Sequence, residues 1–492
     1  MIAVLLILVP LVAGLVTFFL RNESTARAWA FFSTLVTLAA AILGTAVLKT
    51  AQWQSFEASW LQTLGSSFSV GLDGMGQLLC LLNAVAYLIV MLATWKSSYA
   101  KAWNFFGLML LAQAGMMLVF VANDALLFYF GWELALIPMY FLSSQWGGER
   151  RIPVTFKFFI YTFVGSLLML IALIYVQQHT TDHSFSIASF YNAKLTGTQQ
   201  EFPFWLMFIA FAIKMPVFPF HTWQPDAYEQ APTATTMILS GVMVKMGVFA
   251  LLRWLLPAFP VASFAMGNYV TCFAIVGMVY ASLIAIRQDD LKRLVAYSSI
   301  AHIGLMAAAA FSITDSGMQG VMIQLFSHGV NIIGLWVVVE IIERQFGTRK
   351  ISELGGIAQK APGMAIMLVI VALANIALPL TNAFPGEFLM FNGLFNSLGS
   401  KFSVWFTVFA GLCIILAAVY TLNMIRNVFY GNCTVKTEGA VDLALSEKIA
   451  LGIIVALIFA FGVYPQAMLD LTRETSGMIL NKFAIIKGTG TH

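Results

Sequence analysis

Charge is what this chain lacks most. Only 10% of its 492 residues are Asp, Glu, Lys or Arg, while 60% are hydrophobic. A water-facing surface needs far more polar side chains, so a soluble globular domain is excluded. Cysteine is scarce too. Cys80, Cys272, Cys413 and Cys433 are far apart, and no pair has metal-ligand or redox spacing, which argues against an iron–sulfur or zinc site. No Gly-rich nucleotide fingerprint follows a strand pattern, and no nucleic-acid-binding pattern is present. The net charge of +4 decides little, because where the Lys and Arg residues lie matters more than their sum.

What fills the chain instead is long apolar runs, with a mean hydropathy of +0.86. They predict an all-α polytopic membrane protein of about 14 transmembrane helices, near 2–20, 28–48, 75–94, 103–121, 124–145, 155–177, 203–229, 232–256, 265–286, 291–312, 317–342, 362–397, 402–429 and 447–465. The N-terminal run lacks a basic leader and a small-residue cleavage site, and is expected to be a retained first span. The seventh and twelfth are expected to be broken. Pro216 and Pro219 interrupt one; Pro379, Thr381, Asn382 and Pro385 interrupt the other. Proline removes a backbone donor and clashes with the preceding turn. Broken helices at membrane depth are tolerated where they line protein or water.

Loops after odd-numbered spans carry seventeen of the 26 Lys and Arg residues. The opposite loops carry seven (Lys49, Lys194, Arg253, Lys401, Arg473, Lys482 and Lys487), and Lys214 and Lys245 fall inside spans. The positive-inside rule then puts the odd-side loops in the cytoplasm and both termini outside. Spans four to eight and nine to thirteen each hold five helices with the fourth one broken. That is the pattern of two inverted five-helix repeats. The expected division is 1–102 for the first three helices, 103–256 and 265–430 for the repeats, and 431–492 for helix 14 and a tail.

The ionisable residues inside these runs are the informative ones, because charge at membrane depth is expensive. Glu133 lies well inside span five. Lys214 sits beside the break of span seven, too far from a helix end for simple snorkelling. Lys245 is near the middle of span eight. His302 and His328 fall near the centres of spans ten and eleven; a lone buried histidine is more often a satisfied core residue, but neutral imidazole also bridges hydrogen-bonded chains. Glu387 follows the second break, where a helix-terminus carboxylate is the plainer reading. His221, Asp226 and Glu229 read as a polar mouth, and Lys157 as a snorkelling residue. Residues for redox chemistry, nucleophilic catalysis and metal binding are missing; residues for a proton relay are not.

The segments GWELALIPMYFL, KMPVFPFHTWQPDAYEQAPT, DDLKRLVAYSSIAHIGL, QLFSHG and FPGEF resemble the antiporter-like membrane subunits of bacterial respiratory complex I, NADH-quinone oxidoreductase, over essentially all the spans. Glu387, where other types usually carry lysine, resembles the M type. The resemblance implies that Glu133, Lys214, Lys245, His302, His328 and Glu387 transfer protons from cytoplasm to periplasm across the inner membrane. It implies that NADH, FMN, iron–sulfur clusters and quinone are held by partner subunits and none by this chain, and that L-type and N-type chains and lipid are its neighbours. Tyr228 stands where relatives often have histidine, which puts a proton role there in doubt. The alternative is the D-type subunit of a multi-subunit sodium/proton antiporter. A membrane scaffold is a third reading, disfavoured because broken helices with paired lysines exceed what packing needs.

Overall fold

The computed structural model describes residues 1–47 and 54–488. Of the basic residues used for the sidedness argument, Lys49 and the side chain of Lys487 lie outside what is described. Helix is present in each of the fourteen predicted windows, and among the described residues eleven helices are long and apolar enough to cross a membrane. Short polar residues start several of them. Asp73, Asp124, Asp290 and Thr314 each accept a hydrogen bond from a backbone N–H of the following first turn. These side chains satisfy donors that a helix start leaves without an intrahelical partner.

The helices sort into a centre and a ring. Thr233–Ala258, Leu291–Ala310, Asp315–Phe346 and Gly74–Ala93 are almost wholly covered by protein, whereas Arg151–Gln178, Ser403–Phe429 and Leu445–Val463 turn most of their surface outward. An apolar helix buried on all sides belongs to the centre, and one apolar outward faces lipid. The predicted breaks are present. Gly197–Lys214 stops at Lys214 and the chain resumes as Trp223–Gln230; Pro362–Asn375 stops before Ala383–Phe395.

The basic loops meet at one end. Arg27 bonds the carbonyls of Trp95 and Ser97, Ser97 reaches Glu340, Arg293 pairs with Asp226 and Glu229, and Arg344 pairs with Glu447. We refer to this end as the basic face.

Two features of the opposite end were not in the sequence reading, and a third, the burial of Arg253, completes it. Residues 55–59 and 67–71 form a two-stranded antiparallel hairpin, with Ser55 opposite Gly71. The expected tail contains a helix, Gln466–Gly488, which packs on Asp315–Phe346 and Gly74–Ala93. Its low hydropathy and Thr475, Ser476 and Lys482 contacts to Asp73, Asp315 and Tyr191 suit a helix lying across a polar rim. Arg253, counted with the outer side at the end of span 232–256, is buried in the last turns of Thr233–Ala258, where it pairs with Asp73 at 2.5 Å and bonds Asn123. A buried guanidinium is tolerated because both partners meet it.

Candidate functional site

Lys214 is the last residue of its helix because Pro216 cannot continue the ladder. The freed carbonyls are nevertheless satisfied. Met215 N–H donates to Phe211, Val217 N–H to Ala212, and the Trp223 indole to Ile213 at 2.9 Å. The break thus costs few unpaired backbone groups, which is the condition for irregular chain at membrane depth. The Lys214 side chain is 2% exposed, and its amine has no hydrogen-bond partner. It lies 5.1 Å from the centroid of the Trp132 ring, within cation–π range. Glu133, next to Trp132, is half-buried with Oε1 unpartnered, and is the charge that Lys214 senses. The two are not within ion-pair distance, so the structure holds them apart.

Lys245 is fully buried in the central helix Thr233–Ala258. That helix is underwound into π turns at Leu239–Met243 and Leu251–Leu255, on either side of Lys245. A π turn displaces the usual i to i−4 bond and frees a carbonyl. Lys245 Nζ donates to a carbonyl of the first of these turns, Ser240 O, at 2.5 Å. The helix passes the first break closely at Gly247: a Cβ there would fall 2.8 Å from Met215 N and 2.9 Å from Phe211 O. This glycine is what brings the Lys245 helix against the end of the Lys214 helix.

His328 lies in the covered centre of Asp315–Phe346, 1% exposed, with neither ring nitrogen bonded. Its electrostatic neighbours are Lys245 and His302, and the two imidazole rings are 5.3 Å apart. His302 Nδ1 is 3.2 Å from Glu387 Oε1, both side chains nearly buried. Glu387 stands on Ala383–Phe395, just after the second break. A cavity of about 20 Å³ adjoins the pair, lined also by Tyr420, Cys413 and Met278. That is space for about one water. Lys245, His328, His302 and Glu387 are thus successive neighbours, and Lys214 with Glu133 lies at the first break, which the Lys245 helix passes.

Several residues here escaped the sequence reading. Asn375, the last residue before the second break, contacts His302 Nε2 at 3.4 Å and Ser298 Oγ at 3.3 Å, and Tyr420 donates to the same Ser298. Asn331 donates to Ala374 O, and Ser327 donates to Asn382 O at 2.8 Å. Ser327 and Asn331 flank His328 on one helix and hold both edges of the break. Asparagine in an apolar run beside a proline break was the available signal.

The predicted polar mouth lies at the basic face. Asp226 pairs with Lys157 and Arg293, and Glu229 with Arg293, Arg349 and more loosely Arg150. His221 is buried among the Phe218 and Tyr280 rings with Nδ1 unpartnered. Tyr228 is fully buried with its hydroxyl unbonded, edge-on to Trp336.

The profile of a family described as "NADH:quinone oxidoreductase/Mrp antiporter, TM" matches residues 122–416. NADH-quinone oxidoreductase subunit M of Rickettsia felis is 37% identical over 86% of this chain and 85% of its own length. F(420)H(2) dehydrogenase subunit M of Methanosarcina mazei is 35% identical over 98% of both. Among solved structures, a chain of respiratory complex I from Thermus thermophilus with bound NADH superimposes with a TM-score of 0.89 at 28% identity, covering 97% of this chain and all of that one.

Proposed function

Because this chain belongs to the transmembrane family of NADH:quinone oxidoreductases and Mrp antiporters, we propose that it is the M-type proton-translocating subunit of a bacterial NADH-quinone oxidoreductase. The observation that carries this reading is the buried line Lys245, His328, His302, Glu387, which begins beside one broken helix and ends on the other. Such groups pass protons when each can hold one and reach the next. In this reading protons enter from the basic face, which is cytoplasmic, and leave past Glu387 to the periplasm of the inner membrane. The units 103–256 and 265–430 are the two inverted repeats, each contributing one broken helix. L-type and N-type chains flank the subunit. Flavin, iron–sulfur clusters and the NADH and quinone sites are in partner subunits.

Glu133 and Lys214 form the gate. The separation in the structure is its open form; in the closed form the carboxylate moves onto the ammonium and holds the proton at Lys214. Opening leaves a buried ammonium without a counter-charge, an arrangement that favours passing the proton on. The test is Glu387→Ala in the assembled complex. Proton pumping per electron transferred falls while assembly is kept; normal pumping would remove Glu387 from the path. The antiporter reading has the same family behind it. Flavin and iron–sulfur absorption with NADH dehydrogenase activity in the purified complex supports the redox-linked role, and sodium-dependent exchange without redox centres replaces it.

A further inference from the structure

A long groove runs down the outside of the molecule between Pro260–Ile286 and Ser403–Phe429, with a volume of about 950 Å³. Tyr269, Val276, Tyr280 and Leu283 line it on one helix, and Trp405 and Phe409 on the other. Tyr269 and Trp405 are each more than 60% exposed, so large rings stand uncovered rather than packed. On the first helix these positions lie seven, four and three residues apart, along one face, and the same stripe reaches Arg287 one turn after Leu283. Arg287 lines a second, polar cavity of about 740 Å³ at the basic face, together with Arg426, Ser352, Asn427, Tyr430 and Asn432.

Neither arginine of this cavity is paired with a carboxylate among the described residues, unlike several basic residues at this face. Lys157, Lys292, Arg293, Arg344, Arg349 and Lys436 at this face are all paired with carboxylates. Among the described residues, Arg287 makes no ion pair, and Arg426 bonds only the Asn427 side chain. The one carboxylate in the cavity, Asp289, is engaged by the backbone and hydroxyl of Ser352. An apolar groove that comes within one helical turn of Arg287, and a polar cavity beyond it that holds Arg287 and Arg426, match one amphiphile: acyl chains in the groove and a phosphate in the cavity. We propose that this is a specific site for an anionic phospholipid, with Arg287 and Arg426 holding the headgroup phosphate and the groove its chains. Arginine suits this task because its planar donors meet phosphate oxygens in pairs, and basic pockets between helix ends select such headgroups.

The test uses the intact complex containing the full chain, washed in detergent and returned to nanodiscs of phosphatidylcholine with or without phosphatidylglycerol. Retained lipid is counted by native mass spectrometry. The wild-type complex keeps phosphatidylglycerol above its bulk fraction. The R287Q/R426Q variant binds it about tenfold more weakly, the loss expected for charge-assisted bonds to one phosphate. R287K/R426K, which keeps the charge, recovers part of the binding. Val276→Trp, which fills the groove but leaves the arginines, also lowers retention. Equal retention in R287Q/R426Q and wild type overturns the proposal. So does a photo-crosslinker at position 276 that captures a neighbouring polypeptide while no phosphatidylglycerol is kept.

Discussion

At the scale of single residues, the decisive fact is how few partners the buried charges have. Lys214 has a ring face and a carboxylate out of reach; His328 has no hydrogen bond. A group placed for structure would normally be satisfied, since an unpaired buried polar atom is costly. In the proposed gate and relay these are the atoms that change partners. If Glu133 and Lys214 are one gate, Glu133→Gln should impair proton pumping almost as severely as Lys214→Ala, although glutamine keeps the size. The double variant should be little worse than either single one, because both remove the same device. Pumping measured in assembled complexes decides it: near-normal pumping in Glu133→Gln with an inactive Lys214→Ala leaves Lys214 as a carrier and rejects the gate. The six ionisable residues were visible in the sequence because each interrupts an apolar run. Their partners were not. Asn375 and His302 are 73 positions apart, and nothing local to either residue encodes that meeting.

At the scale of elements, the broken helices and the π turns do the positioning. Prolines announced the breaks. The π turns flanking Lys245 carry no proline and read as ordinary helix, so only the fold reveals that Lys245 donates to Ser240 O. The close passage at Gly247 gives a prediction for this level. Gly247→Leu places a branched side chain where a Cβ alone already meets backbone atoms of the first break. The two helices must separate, at a cost of about 1–3 kcal/mol typical of overpacking. We expect a lower midpoint of thermal unfolding and a loss of pumping larger than the loss of NADH–quinone electron transfer. Unchanged pumping in a stably assembled Gly247→Leu complex would show that the proton path does not need this contact.

At the scale of the whole molecule, charge separates the two faces. The basic loops come together at one end, and the hairpin, Arg253 and the Gln466–Gly488 helix assemble at the other. Cysteine labelling tests the orientation. With an impermeant reagent, residues 96–101 and 344–360 should react only in permeabilised cells, and position 196 should react in intact ones; labelling of position 196 only after permeabilisation reverses the topology. The basic face also carries a pH-sensitive clasp. Lys436 and Thr348 bond the Glu353 side chain and hold its carboxyl down at about 2, from an ordinary 4.5. A depressed carboxyl stabilises the fold fully above its unfolded value, and this contribution shrinks as pH falls from about 4.5 towards about 2. Protease accessibility of residues 431–444 should therefore rise across that window in the wild type. In Glu353→Gln it should be raised already at neutral pH and change less on acidification. The pair is exposed, so the effect is small and weakened by salt.

The sequence by itself determined that this is a polytopic helical membrane protein, where most helices run, which two break, and which ionisable residues lie at depth. Those conclusions follow from local chemistry: apolar runs need lipid or protein around them, proline ends a hydrogen-bond ladder, and a charge among hydrophobes is an anomaly at its own position. Only the tertiary structure decided that His302 meets Glu387 and His328, that Lys245 turns to Ser240 O, that Arg253 is buried against Asp73, and that Gln466–Gly488 folds back as a helix. Those outcomes depend on which helix faces pack together. Uniformly apolar helices carry almost no periodic signal for that choice; it is made by steric fit at glycines such as Gly247 and by polar partners far apart in the chain.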